Sequence, residues 1–287
     1  MNVSTASSSL IEELRSRLAE LGPAVSAEST ISNEIELSIV IPAFNEEARL
    51  PRTVLETLQW CAAERLVFEV IIADDGSQDN TLALARVLAE CDPRVRVLAC
   101  SHSGKGGAVR TGVLKAKGRW VLFMDADGAT PITEIPKLLR LMQTQDIAIG
   151  SRAVKRAGDV DVKTSLHRRI VGRIFARIVN LLAVGGVEDT QCGFKMFRRE
   201  AAMAVFGRQK TTGFAFDVEI LLIARRLAFS IKEVPINWVA QPGSKVSVIR
   251  DSIRMLRDIV RIQWMHRDLV GMVFRDGKKC QAARASD

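Results

Sequence analysis

Apolar runs in the first half of the chain recur at regular intervals, and each is closed by polar residues. LSIVIPAF (37–44), FEVIIADDGS (68–77), VRVLAC (95–100) and RWVLFMDAD (119–127) read as strands. Their apolar positions do not alternate with polar ones, so both faces are covered, as in a parallel sheet flanked by helices. Between them lie stretches with helical spacing: ARLPRTVLETLQWCAAE (48–64), DNTLALARVLAE (79–90) and GGAVRTGVLKAKG (106–118). Asp79-Asn80 offers an N-cap to the second, and Gly118 stands just past the expected end of the third. The β-α-β-α order predicts an α/β fold with a doubly wound, mostly parallel sheet.

Two later stretches are amphipathic and basic. From 166 to 186, Leu166, Ile170, Ile174, Ile178 and Leu182 recur every fourth residue, and Arg169, Arg173 and Arg177 form the opposite stripe. Such a helix either lies in a membrane interface with its arginines on lipid phosphates or packs on a core with a solvated basic back. The stretch 249–264 poses the same choice, with Ile249, Ile253, Leu256, Val260 and Trp264 on one face and Arg250, Arg254, Arg257 and Arg261 on another. The expected organisation is an N-terminal appendage (1–34) with a short helix before Gly22-Pro23, a main domain (35–265) that includes interface helices at about 164–184 and 247–265, and a tail (266–287). No internal repeat is found.

Composition narrows the partners. The 287 residues are 47% hydrophobic with a formal charge of +8, and the pI is about 9.5, which favours an anionic partner. Nucleic acid fits poorly, because aromatic residues are not interleaved with the basic stripes. The cysteines Cys61, Cys91, Cys100, Cys192 and Cys280 are odd in number and form no C-x-x-C pair, and the histidines are scattered. A disulfide framework or zinc site is therefore not expected, and a reduced compartment is. No secretory signal and no run of about 18 apolar residues is found. The chain is therefore not expected to cross a membrane by itself.

The chemistry concentrates where the strands end. Asn45-Glu46, Asp74-Asp75-Gly76-Ser77, Gly104-Lys105-Gly106 and Asp125/Asp127 all follow strands, at the edge where doubly wound sheets bind ligands. Asp125 and Asp127 repel one another at a strand exit, a cost that Mg2+ or Mn2+ bridging to phosphate oxygens would relieve. The bland alternative is a solvated turn. Lys105, at the start of a helix between glycines, suits a phosphate.

These segments carry a resemblance. SIVIPAFNEE, VIIADDGSQDNT, GKGGAVRTG and VLFMDADGAT resemble the successive motifs of inverting family 2 glycosyltransferases with the GT-A fold, a Rossmann-like α/β architecture. IAIGSR, DTQCGFKMF, GFAFDVEIL and IKEVPINW…GSKV resemble the polyprenyl-phosphate branch, and the DADGAT form is similar to the dolichyl-phosphate β-glucosyltransferases more than to the mannose synthases. The match spans about residues 37–262. It implies that Pro42, Phe44 and Glu46 line a nucleobase and ribose pocket, that Asp75 reads the base edge and that Asp74 supports it. Asp125 would lie near ribose and metal, Asp127 would ligate the metal, and Arg152 and Lys245 would hold donor or acceptor phosphate. Ala129 stands where the mannose synthases have a metal-binding glutamine, so metal contacts are expected to be thinner and the donor need not be theirs. The resemblance also implies peripheral attachment to the cytoplasmic face of a membrane, or a separate membrane-embedded partner.

The implied reaction is transfer of a hexose, glucose from UDP-glucose in the first instance, onto a polyprenyl or dolichyl phosphate. The alternative is a soluble phosphorylated or hydroxyl acceptor. An ionised phosphate needs no strong base, whereas an alcohol does. Asp189 is the candidate base, or else it holds the acceptor loop by hydrogen bonds. A partner-binding pseudoenzyme is disfavoured by the intact Asp75, Asp127 and Lys245.

Overall fold

The computed structural model describes residues 11, 12, 14–18, 34–152, 186–239 and 248–269, with side chains of the last helix from 257 onward. In chain order the elements are β1 (Leu37–Ala43), α1 (Leu50–Ala63), β2 (Phe68–Asp74), α2 (Thr81–Cys91), β3 (Val95–Ala99), α3 (Lys105–Leu114) and β4 (Trp120–Met124). There follow a 3-10 turn (Ile132–Glu134), α4 (Ile135–Leu141), β5 (Ile147–Ser151), β6 (Phe194–Arg198), α5 (Arg199–Arg208), α6 (Phe216–Arg226), β7 (Ile231–Pro235) and α7 (Val248–Met265). The sheet has seven strands in the order β3-β2-β1-β4-β6-β5-β7. β1, β2, β3 and β4 run parallel, and only β6 runs against its neighbours β4 and β5.

The four strands expected from their apolar runs form one half of this sheet. Every residue of β1 and β2 is buried, and the polar side chains Ser38 and Glu69 are satisfied. Ser38 Oγ donates to Glu69 Oε1 (2.6 Å) and accepts from Gly118 N (2.8 Å), while Glu69 Oε2 pairs with Arg96 (2.5 Å). Gly118 therefore serves a close approach rather than a helix end: α3 stops at Leu114, and a Cβ at Gly118 would come within 2.5 Å of Ser38 N.

Nor is Asn80 a side-chain cap of α2. Asp79 instead accepts the amides of Thr81 (2.9 Å) and Glu47 (3.3 Å), and Thr81 Oγ1 accepts that of Glu46 (2.7 Å). The loops after β1 and β2 are thus joined at the strand ends, with Asn45 in the left-handed region at φ 54°.

The other half of the sheet is less regular in polarity. β6 carries the wholly buried Lys195, which donates to Cys192 O (2.6 Å) and to Asp217 in the first turn of α6. Its ammonium also lies 5.2 Å from the Phe123 ring centroid. At the chain ends, Leu14 and Leu18 are buried against the core, as are His266 and Leu269. Buried side chains are thus found at 14 and 18 and again at 266 and 269.

Over its described side chains, from 257 onward, helix α7 has a buried side and an exposed side. Ile259 and Ile262 are buried, Ile262 against Ala215 and Leu222 of α6 and its approach. Val260 and Trp264 are exposed at 66% and 65%, beside the exposed Arg257 and Arg261. Among the described residues no helix is long and apolar enough to cross a membrane.

Candidate active site

The carboxyl ends of β1, β2 and β4 open into a cleft of about 520 Å³ whose lining includes Pro42, Phe44, Glu46, Asp75, His102, Lys105, Asp125, Asp127 and Phe214. On one side, Asp75 ties two loops together: its carboxylate oxygens accept the amides of Ser103 and Gly104, each at 2.9 Å. His102 Nδ1 lies 2.9 Å from the Asp75 carbonyl oxygen, and the imidazole stacks on Phe44 with centroids 4.5 Å apart. Asp74 sits behind this wall. Its Oδ2 accepts from Gly76 N and Ser77 N (3.2 and 3.1 Å), while its Oδ1 is buried without a partner.

The opposite side is built by Asp125 and Asp127. Lys105, the first residue of α3, places Nζ 2.5 Å from Asp125 Oδ1. Burial disfavours its charge, but the carboxylates of Asp125 and Asp217 outweigh burial and hold its pKa above the ordinary lysine value. Asp127 Oδ1 accepts from Ala129 N (3.0 Å), Thr53 Oγ1 holds Ala126 O (2.8 Å), and Val239 N holds Ala129 O (2.9 Å). Glu46 faces the same field. Burial chiefly, with the charges of Asp127 and Asp125, raises its pKa against the opposing pull of Arg49, its partner at 2.6 Å.

Gly193 lies directly beneath Asp125, where any Cβ would collide with that carboxylate. Gly193→Ala is therefore expected to displace Asp125 and cut turnover by about 10- to 100-fold with little loss of thermal stability. Parallel kinetics and melting curves check this; a variant with wild-type turnover would show that Asp125's placement is not critical.

Arg152 and Asp189 meet at the neighbouring end of β5. Arg152 forms a two-pronged pair with Asp189, Nε to Oδ2 and Nη2 to Oδ1 at 2.8 Å each, and its backbone N adds a third bond to Oδ2 (2.9 Å). Burial pushes the Asp189 pKa up, but the hydrogen bonds and charge of Arg152 prevail and hold it below the usual carboxylate range. Arg152 also lies over the Trp238 ring, 5.6 Å from its centroid. Lys245, Arg169, Arg173 and Arg177 lie outside the described residues.

Whether a divalent cation suits this cleft depends on its donors. Among the described residues no three His, Cys, Asp or Glu side chains converge as a closed metal cage. Asp125 and Asp127 offer hard oxygens beside open space, an arrangement fitting a cation whose remaining ligands come from phosphate and water. Sequence reasoning missed His102, Phe214, Gly193 and the Lys195–Asp217 pair. His102 and Gly193 lie inside or beside quoted motifs, but neither has a spacing that announces its role.

Residues 38–206 match the family model described as Glycosyl transferase family 2. The chain belongs to glycosyl transferase family 2. Among the curated members of family 2 that it resembles, the dolichyl-phosphate beta-glucosyltransferase of Drosophila melanogaster is 40% identical, covering 84% of this chain and 77% of the relative. The namesake from Dictyostelium discoideum is 37% identical over 82% and 76%, and that of Saccharomyces cerevisiae 35% over 86% and 79%. Among solved structures, glucosyl-3-phosphoglycerate synthase from Mycobacterium tuberculosis in complex with Mn2+, UDP and phosphoglyceric acid matches with a TM-score of 0.58 at 20% identity, covering 88% of this chain and 80% of that one. At that identity the likeness concerns the fold, the GT-A type of family 2, as its sequence motifs imply.

Proposed function

We propose that this family 2 glycosyltransferase is an inverting enzyme that transfers glucose from UDP-glucose to a dolichyl or other polyprenyl phosphate at the cytoplasmic surface of a membrane, with Mg2+ or Mn2+. The observation that carries the reading is the convergence of Asp75, Lys105, Asp125 and Asp127 on one cleft in a chain whose curated relatives are named dolichyl-phosphate beta-glucosyltransferases. Phe44 with His102 offers a flat surface for a pyrimidine, and the remaining lone pair of Asp75 Oδ1, which accepts from Ser103 N, suits an imide N–H. Asp125 and Asp127 would hold the cation, which when bound supplies charge neutralisation to the leaving diphosphate. Lys105 would place a fixed positive charge beside the same oxygens.

The state of Asp189 supports a phosphate acceptor. A carboxylate kept ionised by a two-pronged arginine is a weak base, which suits a nucleophile already ionised at neutral pH and disfavours an alcohol. Asp189 would then position Arg152, with Lys245, for the acceptor phosphate. The competing soluble acceptor predicts turnover without lipid. Incubating labelled UDP-glucose and Mn2+ with detergent-dispersed dolichyl phosphate separates them: lipid-linked glucose is expected, whereas donor hydrolysis without a lipid product would contradict the lipid acceptor.

Membrane contact is assigned to the outward face of α7, where Val260 and Trp264 stand one turn apart beside Arg257 and Arg261, a mixture suited to an anionic interface. The stripe of Arg169, Arg173 and Arg177 is proposed to add to it. Val260→Asp/Trp264→Asp is expected to lower co-sedimentation with anionic vesicles at least about tenfold while sparing the fold, since neither side chain is buried. Undiminished co-sedimentation would place the contact elsewhere.

A further inference from the structure

Beside the cleft, a chain of hydrogen bonds, buried at Glu219 and His266, runs from just past α7 to Gly106, the residue after Lys105. Glu219, in the first turn of α6, is completely buried, and its partner His266 is buried. Glu219 accepts three bonds: from Lys210 N at 2.9 Å, from Thr211 N at 2.7 Å and from His266 Nε2 at 2.6 Å. The loop so gripped is seated on the start of α3. Thr212 O accepts from Gly106 N (2.7 Å), and Gln209 Nε2 bridges Gly106 O (2.9 Å) and Thr211 O (2.7 Å).

The fit at this seat leaves no slack. A Cβ on Gly104 would come within 2.8 Å of Thr212 O, and one on Gly106 within 2.6 Å of Phe216 Cβ. Lys105 lies between these two glycines, so its backbone is fixed by residues 210–212. The same loop continues to Phe214, which is 70% exposed and lines the cleft. His266 follows Ile262, the residue that docks α7 on α6.

We propose that Glu219 and His266 are positioning residues for the donor site: α7, through His266, fixes Glu219, which holds the 210–212 loop and thereby the backbone of Lys105. Neither residue touches the cleft. The consequence is that the helix bearing the outward Val260/Trp264 face is mechanically joined to the donor pocket, so that its seating sets donor affinity. A simple packing role would instead lower global stability and leave the folded protein's donor site unchanged.

The proposal rests on the reading of the cleft as a nucleotide-sugar site, and two readouts keep the two apart. The first is UDP affinity by calorimetry on the full chain with Mn2+ and without lipid. The second is hydrogen exchange at the amides of Gly106, Lys210 and Thr211, which needs no ligand. His266→Ala is expected to weaken UDP binding about tenfold, to raise the donor KM with kcat little changed, and to speed exchange at those amides. His266→Gln, whose amide nitrogen can replace Nε2 as donor, is expected to restore both. If His266→Ala does not fold, His266→Asn, too short to reach Glu219, carries the same comparison. A variant with a lowered Tm but wild-type UDP affinity and wild-type exchange at Gly106 overturns the proposal. Faster exchange with no UDP binding by the wild type keeps the mechanical link and overturns the nucleotide reading, and with it the donor-positioning role.

Discussion

Asp127→Ala is expected to lower the rate of glucose transfer by about a thousandfold at saturating UDP-glucose and Mn2+, the scale on which removing a fixed stabiliser of developing charge acts. Asp127 stands at the cleft with one oxygen bound only to Ala129 N, whereas Asp125 is already neutralised by Lys105. That asymmetry makes Asp127 the carboxylate more available to a cation. Glu46 feels both aspartates as repulsive charges, so a cleft without a cation concentrates negative charge where a diphosphate has to enter. Single-turnover transfer across a manganese titration checks this. Near-wild-type turnover at saturating metal would remove Asp127 from the metal site. The substitution is not expected to unfold the protein, because Asp127 is part-exposed and, among the described residues, its one hydrogen bond is the local one to Ala129 N.

Lys195→Met is expected to cost about 3–5 kcal/mol of folding stability, the range for stripping one partner from a buried ion pair. Lys195 is fully buried on β6, bonded to Asp217 and to Cys192 O, with Phe123 below it. Removing the ammonium leaves Asp217 buried near apolar rings, with the cleft's Lys105 as the other positive charge acting on it. The double variant Lys195→Met/Asp217→Leu is expected to recover most of the loss, since replacing both charges removes the desolvation cost as well as the attraction. Urea denaturation of the three proteins checks this. A single variant within about 1 kcal/mol of wild type would mean that the pair is hydrated or relaxes freely.

These residues also show what was legible beforehand. β1, β2 and β4 were readable because they are buried and almost wholly apolar, and the edge strand β3 because VRVLA is a short run of β-branched and apolar residues broken only by Arg96. β6 was not: FKMFR contains a lysine that a sequence pattern assigns to solvent, and only the carboxylate of Asp217, distant in sequence, makes its burial possible. The strand ends were legible because charged residues that follow apolar runs have few places to go, and Asp75, Lys105, Asp125 and Asp127 do share one cleft. What those residues do to each other was less so. Spacing does not reveal that Asp75 spends a lone pair of each oxygen on loop amides, that Gly193 is the floor under Asp125, or that His102 stacks on Phe44. For α7, Ile259 and Ile262 lie off the stripe read from every fourth residue, and both are buried, Ile262 against α6. A wheel drawn for one apolar face conceals the second.

The measurement that bears most directly on the account is the stereochemistry and linkage of the product formed from UDP-glucose and dolichyl phosphate, read by proton and phosphorus NMR of the purified lipid. Direct attack by the lipid phosphate oxygen, with no basic residue required, predicts a β-linked glucosyl phosphate from the α-linked donor. An α-linked product, or glucose found free or on an acceptor hydroxyl instead of the lipid phosphate, would contradict it.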